Sequence, residues 1–252
     1  MYYLAWGLIL LLMFLLGSVV FSFLNVVAYR LPRGENPFRG RSHCTACNHM
    51  LAAGDLIPIV SYLSLKGRCR YCGEKVSPRY LLVELAGGLI CVLCTLVVGL
   101  PLSLFYFAVA AVLSGVAIAD WDTQEIPDQF NIALAILGVA SIWLLPEVTF
   151  LERVIGVFVV SVPLLLLAMF LGAFGGGDVK LMAAAGLLLG WKLTLLAAFI
   201  GILVGGVYAV VLLAKKKAGG KTAIAFGPYL SIGIFVAMLW GSEILGWYLT
   251  KF

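Results

Sequence analysis

Apolar runs, separated by short punctuation, fill the chain from Tyr80 to Thr250, and they restrict it to a membrane fold. A run of roughly 17–25 apolar residues crosses a bilayer as a helix, because only a helix satisfies its own backbone there. We expect eight spans, at 4–29, 80–99, 102–119, 130–146, 154–173, 179–191, 193–214 and 226–249. The sixth is short, and reads as tilted, half-inserted or packed inside a bundle. Of 252 residues, 63% are apolar and 12% charged. A soluble domain carries about 25% charged residues, so a large soluble core is a poor reading. Met1 to Tyr29 lacks a basic start and a clear small-residue cleavage site, so it is expected to stay as a transmembrane helix. The expected fold class is an all-α polytopic membrane protein with one small hydrophilic insertion. Its expected parts are a first helix over 1–29, an insertion over 30–79 and a seven-helix membrane domain over 80–252.

The net charge of +5 reflects basic residues clustered at segment ends, which orients a membrane protein rather than binding nucleic acid. With Arg30–Arg79 in the cytoplasm, the cytoplasmic connections hold 14 Lys and Arg, and the outer side holds only Arg153, Lys192 and Lys251. Both termini then face outward. Asp120 and Asp178 both fall at cytoplasmic ends of spans. Lys215, Lys216, Lys217 and Lys221 form a basic cytoplasmic loop, explained by anchoring and anionic-lipid contact.

The insertion carries Cys44-x-x-Cys47 and Cys69-x-x-Cys72, with 21 residues between the two pairs. That matches a four-thiolate zinc ribbon, one residue beyond the usual spacing. Two disulfides are the alternative, which a reducing cytosol disfavours. His43 and His49 flank the first pair as spectators, since four cysteines already close a tetrahedral site. A segment of about 50 residues has little core, so a metal staple is physically reasonable. Cys91 and Cys94 form a third pair inside the second span, read as small buried apolar residues.

The stretch Gly175-Gly176-Gly177-Asp178-Val179-Lys180 places three glycines and a carboxylate between two apolar runs. An aspartate at a bilayer edge is expensive and points to function. The glycines leave room for a substrate strand or a neighbouring helix. Its best partner is Asp120, which ends the run Phe105–Ala119. Two carboxylates hydrolyse a peptide when one is ionised and the other protonated, and close like charges favour that split. No histidine-activated serine or cysteine is at hand, because both histidines lie in the insertion. The loop after Asp120 holds Asp122, Glu125 and Asp128 and no Lys or Arg. It reads either as a solvated turn with Asp128 capping the next helix or as a patch attracting a basic peptide. Asp122 competes with Asp120, but Asp120 ends the apolar run directly. Glu84 and Asn25 stay open between structural and site roles. Phe226-Gly227-Pro228 reads by itself as a helix start.

The order of these motifs resembles the type IV prepilin peptidases, the bifunctional leader peptidase and N-methyltransferase family. The match includes Gly17-Ser18, Asn25-Val26-Val27, Tyr29-Arg30-Leu31-Pro32, Ile57-Pro58 with Ser61-Tyr62, and Gly67-Arg68-Cys69-Arg70-Tyr71-Cys72. Ser77-Pro78-Arg79-Tyr80 with Val83-Glu84, Asp120 with Ile126-Pro127-Asp128, the GGGDVK stretch and Phe226-Gly227-Pro228 complete it. The resemblance implies cleavage of the basic leader of prepilins or type II secretion pseudopilins at the cytoplasmic face of the bacterial inner membrane. It also implies methylation of the new N-terminus, often Phe, from S-adenosylmethionine. It assigns catalysis to Asp120 and Asp178 and metal binding to Cys44, Cys47, Cys69 and Cys72. No Gly-rich strand–turn–helix motif appears, so the methyl-transfer residues stay unassigned, with the insertion as their expected location. A peptidase without methyl transfer, a transporter using the two aspartates, and a scaffold docking through its zinc ribbon are the competing readings.

Overall fold

The computed structural model describes residues 2–171, 174–215 and 225–251. Nine α-helices occur among the described residues: α1 (Tyr2–Arg30), α2 (Val60–Ser64), α3 (Arg79–Val98), α4 (Leu102–Thr123), α5 (Asp128–Leu144), α6 (Phe150–Val159), α7 (Ser161–Leu171), α8 (Gly176–Ala214) and α9 (Gly227–Leu249). No strand occurs among them, only two isolated backbone pairings. Six helical stretches are long and apolar enough to cross a membrane, with α6 and α7 counted as one, and α5 is a shorter apolar helix. The all-α membrane fold expected from the sequence is therefore present. The chain divides into two units, Met1–Phe107 and Ala108–Phe252.

In the first unit, α1 packs on α3. Every third or fourth residue of α3 is buried: Glu84, Gly87, Gly88, Cys91, Cys94 and Thr95. The contact is close because Gly17, Gly87 and Gly88 have no side chain. A Cβ on Gly87 would overlap Phe21, and one on Gly88 would lie 2.6 Å from the Phe14 ring. In lipid, such small-residue contacts replace the hydrophobic drive that water supplies elsewhere. Cys91 and Cys94 are 1% and 0% exposed, so they serve as small core residues.

In the second unit, α8 is the shared partner of α5, α6, α7 and α9. Glycines again set the approach: Gly156 against Gly186, and Gly233 against the backbone of Ala197. The 39-residue helix α8 covers two of the expected spans. It is broken at Gly190, whose φ of 73° and ψ of 170° only glycine adopts easily. The chain reverses there: Phe174, before the first half, meets Phe226, and Gly205 in the second half meets Phe226 and Tyr229 at that same end. The two expected spans are thus both present and meet within two residues of the expected boundary.

That break strips the carbonyls of Leu187 and Leu188 of their usual helical donors. Arg153, buried completely in α6, replaces them. Its guanidinium donates to Leu187 O (2.9 Å), Leu188 O (3.0 Å), Ser141 O (3.0 Å) and Leu145 O (2.8 Å). Arg153 is therefore an interior clamp rather than the loop charge its sequence position implied. Five fixed donors make arginine suited to binding a cluster of carbonyls.

Candidate active site

Asp120 lies in the last turn of α4 and is 5% exposed. Asp178 is the third residue of α8 and is 7% exposed. Ile126, six residues after Asp120, packs against Gly177, the residue before Asp178. Each carboxylate has one oxygen fixed by a glycine N–H at a helix start. Gly227 N–H donates to Asp120 Oδ2 at 2.8 Å, and Gly175 N–H donates to Asp178 Oδ2 at 3.1 Å. The first N–H groups of a helix lack intrahelical acceptors, and the helix dipole favours negative charge there. The two aspartates thus satisfy the starts of α9 and α8. Asp178 Oδ1 is buried without a hydrogen bond among the described residues. Such an atom can accept from a water or, when protonated, donate to a substrate carbonyl.

The glycines serve separate purposes. Gly175 supplies the N–H to Asp178. A Cβ on Gly176 would meet open space, whereas one on Gly177 would lie 2.9 Å from Ile126 Cβ. A Cβ on Gly227 would lie 2.8 Å from Asp120 Oδ2. The role of Gly227 was missed in the sequence, where its stretch reads as helix punctuation. Only family resemblance marked it, because 107 residues separate it from Asp120.

The acidic loop is partly neutralised. Asp122 and Glu125 are exposed. Asp128 does not cap α5 through its side chain, contrary to expectation. Pro127 holds the cap position, and Asp128 is the first helical residue. Its carboxylate takes Lys180 Nζ instead, at 2.7 and 2.9 Å. A chain of rings flanks the aspartates: Trp121 meets Tyr208, Tyr208 meets Tyr229, and Phe226 meets both Tyr229 and Phe174.

The first unit holds the cysteines. The two knuckles repeat one backbone pattern. Cys44 N bonds His49 O and Asn48 N bonds Cys44 O; Cys69 N bonds Glu74 O and Gly73 N bonds Cys69 O. Asn48 and Gly73 take the same left-handed turn, with φ of 55° and 73°. The four Sγ atoms lie within 4.8 Å of one another. Cys44 and Cys72 are 3.9 Å apart and all four thiols are free. Four thiolates at about 2.3 Å from one zinc stand about 3.8 Å from each other, so the cluster fits a tetrahedral ion. N–H groups of Cys47 and Ala46 lower the Cys44 thiol to about 6. Cys72, despite the backbone bond at Glu74, is pushed up to about 12 by burial and the Cys47, Cys69 and Cys44 sulfurs, so the four thiols titrate as one group. His49 is a spectator, stacked on Tyr71 at 3.6 Å. Asp55 ties this wall together, accepting from Arg70 at 2.6 Å and Tyr71 at 3.1 Å. The Arg70 bond holds the Asp55 carboxyl below its usual range. Of the basic loop, Lys216, Lys217 and Lys221 lie outside the described residues.

Two family models match the chain. The bacterial peptidase A24 N-terminal domain covers residues 15–98, and the type IV leader peptidase family covers residues 107–210. The chain belongs to the type IV leader peptidase family. Proteins named prepilin leader peptidase/N-methyltransferase align over nearly its whole length. One from Aeromonas salmonicida is 34% identical, over 95% of this chain and 93% of that protein. One from Pseudomonas aeruginosa is 31% identical, over 93% and 91%, and one from Bacillus subtilis is 28% identical, over 94% and 97%. No solved structure matches the chain. In this leader peptidase, both model matches and both site clusters fall in corresponding halves of the sequence.

Proposed function

We propose that this chain is a membrane aspartyl endopeptidase that removes the leader of a type IV prepilin or type II secretion pseudopilin. It then N-methylates the new terminus, with S-adenosylmethionine as donor. The carrying observation is the pair of buried carboxylates, each with one oxygen held by a helix-start glycine and one buried oxygen of Asp178 unengaged.

In this reading Asp120 and Asp178 act as one titrating unit. The ionised carboxylate takes a proton from water as its oxygen attacks the scissile carbonyl. The protonated one hydrogen-bonds the carbonyl oxygen and then protonates the leaving amine. The glycine N–H groups hold both carboxylates in place before substrate arrives. Gly176, with open space beside it, gives an extended peptide a close path to Asp178. Cys44, Cys47, Cys69 and Cys72 hold a structural zinc. The domain limits are 1–29, 30–79 and 80–252. The insertion and both aspartates face the cytoplasm at the bacterial inner membrane, with the termini outward, as the Lys and Arg distribution supports.

Methyl transfer is read from the names of the relatives and requires an uncharged amine placed in line with the methyl donor. The test is direct. Purified protein is incubated with a synthetic prepilin, with and without S-adenosylmethionine, and the product is weighed by mass spectrometry. Loss of the leader plus one methyl group is expected. Flux across liposomes without cleavage would replace the peptidase reading with a transporter.

A further inference from the structure

One cluster in the first unit is used by neither proteolysis nor the zinc. Glu84, on the buried face of α3, is 8% exposed. Its Oε1 accepts from Ser22 Oγ of α1 at 2.6 Å, and its Oε2 accepts from the backbone N–H of Ile59 at 2.8 Å. Three separate stretches of sequence meet on this one carboxylate. None of the described ion pairs involves it. A carboxylate buried without a cation costs several kcal/mol unless its hydrogen bonds compensate. Two donors occupy two of about four lone-pair sites, which leaves one acceptor site on each oxygen.

The second observation lies one helical turn away. Asn25 is 8% exposed, and its Nδ2 is buried without a partner. Residues three apart on a helix share a face, so Asn25 stands beside Ser22 on α1, on the side nearer the insertion. The site thus offers a spare negative acceptor and a spare neutral donor together. Ser22 and Ile59 are only partly buried, so the site is not sealed.

The backbone over this site is strained. Ile59 has φ of 64° and ψ of −53°, and Val60 N bonds Pro58 O at 2.6 Å, which closes a three-residue turn of the unfavourable hand. A β-branched residue there is an outlier that persists only where its surroundings demand it. The turn delivers the Ile59 N–H to Glu84.

We propose that Glu84, Ser22 and Asn25 bind an α-amino acyl group: a primary amine on the carboxylate, and the neighbouring carbonyl or carboxylate oxygen on the Asn25 amide. This inference rests on the methyl transfer proposed above. Two of its reactants carry such a group, the new N-terminus of the cut substrate and the methionyl end of S-adenosylmethionine. A strut joining α1, α3 and the insertion would need only the two bonds already made, and would leave Asn25 unexplained.

The test measures binding to the purified full-length protein with four probes in two matched pairs. The cut peptide is compared with its N-acetylated form. S-adenosylhomocysteine is compared with 5′-methylthioadenosine, which lacks the amino-acid end. Glu84→Gln is expected to weaken one free-amine member by at least about tenfold and leave its matched control unchanged, because a buried charged hydrogen bond is worth about 1.5–3 kcal/mol. Loss for the peptide assigns the site to the substrate, and loss for the nucleoside assigns it to the donor. Equal loss within both pairs, or no loss at all, overturns the proposal. Zinc content and melting temperature show whether Glu84→Gln has unseated the insertion. Should it do so, Asn25→Ala decides, since it leaves both bonds to Glu84 intact. It is expected to weaken the same probe severalfold, and an unchanged affinity overturns the proposal. Wild-type cleavage without methylation would remove the methyl-transfer reading itself, a separate outcome from these affinities.

Discussion

The cysteine cluster and the aspartate pair are built in opposite ways. The cysteines come from two short knuckles of identical backbone pattern, each folded by its own turn. They are largely exposed apart from Cys69, and one ion can draw them together. The aspartates come from the ends of two long helices and are 58 residues apart in sequence. They are buried, and helix packing with two glycine N–H groups holds them. One site is local and depends on a ligand; the other is non-local and depends on the bundle. Removing a single group should therefore act differently at each.

The largest effect is expected at the aspartates. Asp120→Asn or Asp178→Asn should lower leader cleavage about 100- to 10,000-fold, the range of acid–base catalysis, with zinc content unchanged. A Asp178→Asn protein that cleaves near the wild-type rate would remove the pair from the mechanism. Next is the metal. Cys69→Ser, or prolonged chelation, should release the proposed zinc and open residues 30–79 to protease, because binding energy at a structural metal site is folding energy. Cleavage of a short soluble prepilin peptide should fall by less than about tenfold, as expected for local unfolding outside the bundle. A loss as deep as that of Asp120→Asn would show that the two sites are not separable.

A third change sharpens the comparison within the aspartate site. Gly227→Ala keeps the N–H to Asp120 but adds a Cβ 2.8 Å from Oδ2. The carboxylate must then shift by a few tenths of an ångström. A displacement of about 1 Å can cost about 100-fold, so we expect roughly a tenfold fall in kcat with little change in KM. Steady-state kinetics with one prepilin peptide decide it, and an unchanged kcat would mean that Asp120 does not need the α9 start.

These differences explain what was legible in the sequence. The cysteines were readable because spacing within a knuckle is local. Asp120 and Asp178 could be singled out as a pair because each stands at the edge of an apolar run, and both prove buried and held by a glycine N–H. Gly227 and Arg153 were not readable as site and clamp, since their partners are set by helix packing rather than periodicity. The two spans within α8 were legible as separate apolar runs, but their direct meeting at Gly190 was not, because an apolar pattern records length and not φ. Asp128 misled for a similar reason. Its place before a helix fits a cap, yet a lysine 52 residues away takes its carboxylate.

The smallest expected effect tests the loop after Asp120. Asp128 is tied to Lys180, so the capture reading is tested at the exposed Asp122 and Glu125. Exposed charge pairs contribute about 0–1 kcal/mol each and are screened by salt. Asp122→Asn with Glu125→Gln should then raise KM for a basic-leader prepilin about two- to fivefold at low salt, and kcat should change less. At high salt the wild type and the double variant should converge, because the screened loop no longer attracts the leader. Lys180→Met offers the reverse change. It frees the Asp128 charge, so KM at low salt should fall slightly rather than rise. If the double variant keeps the wild-type KM at low salt, the loop is only a solvated turn. If kcat collapses instead, Asp122 or Glu125 belongs with the buried aspartates, and the separation of capture from chemistry fails.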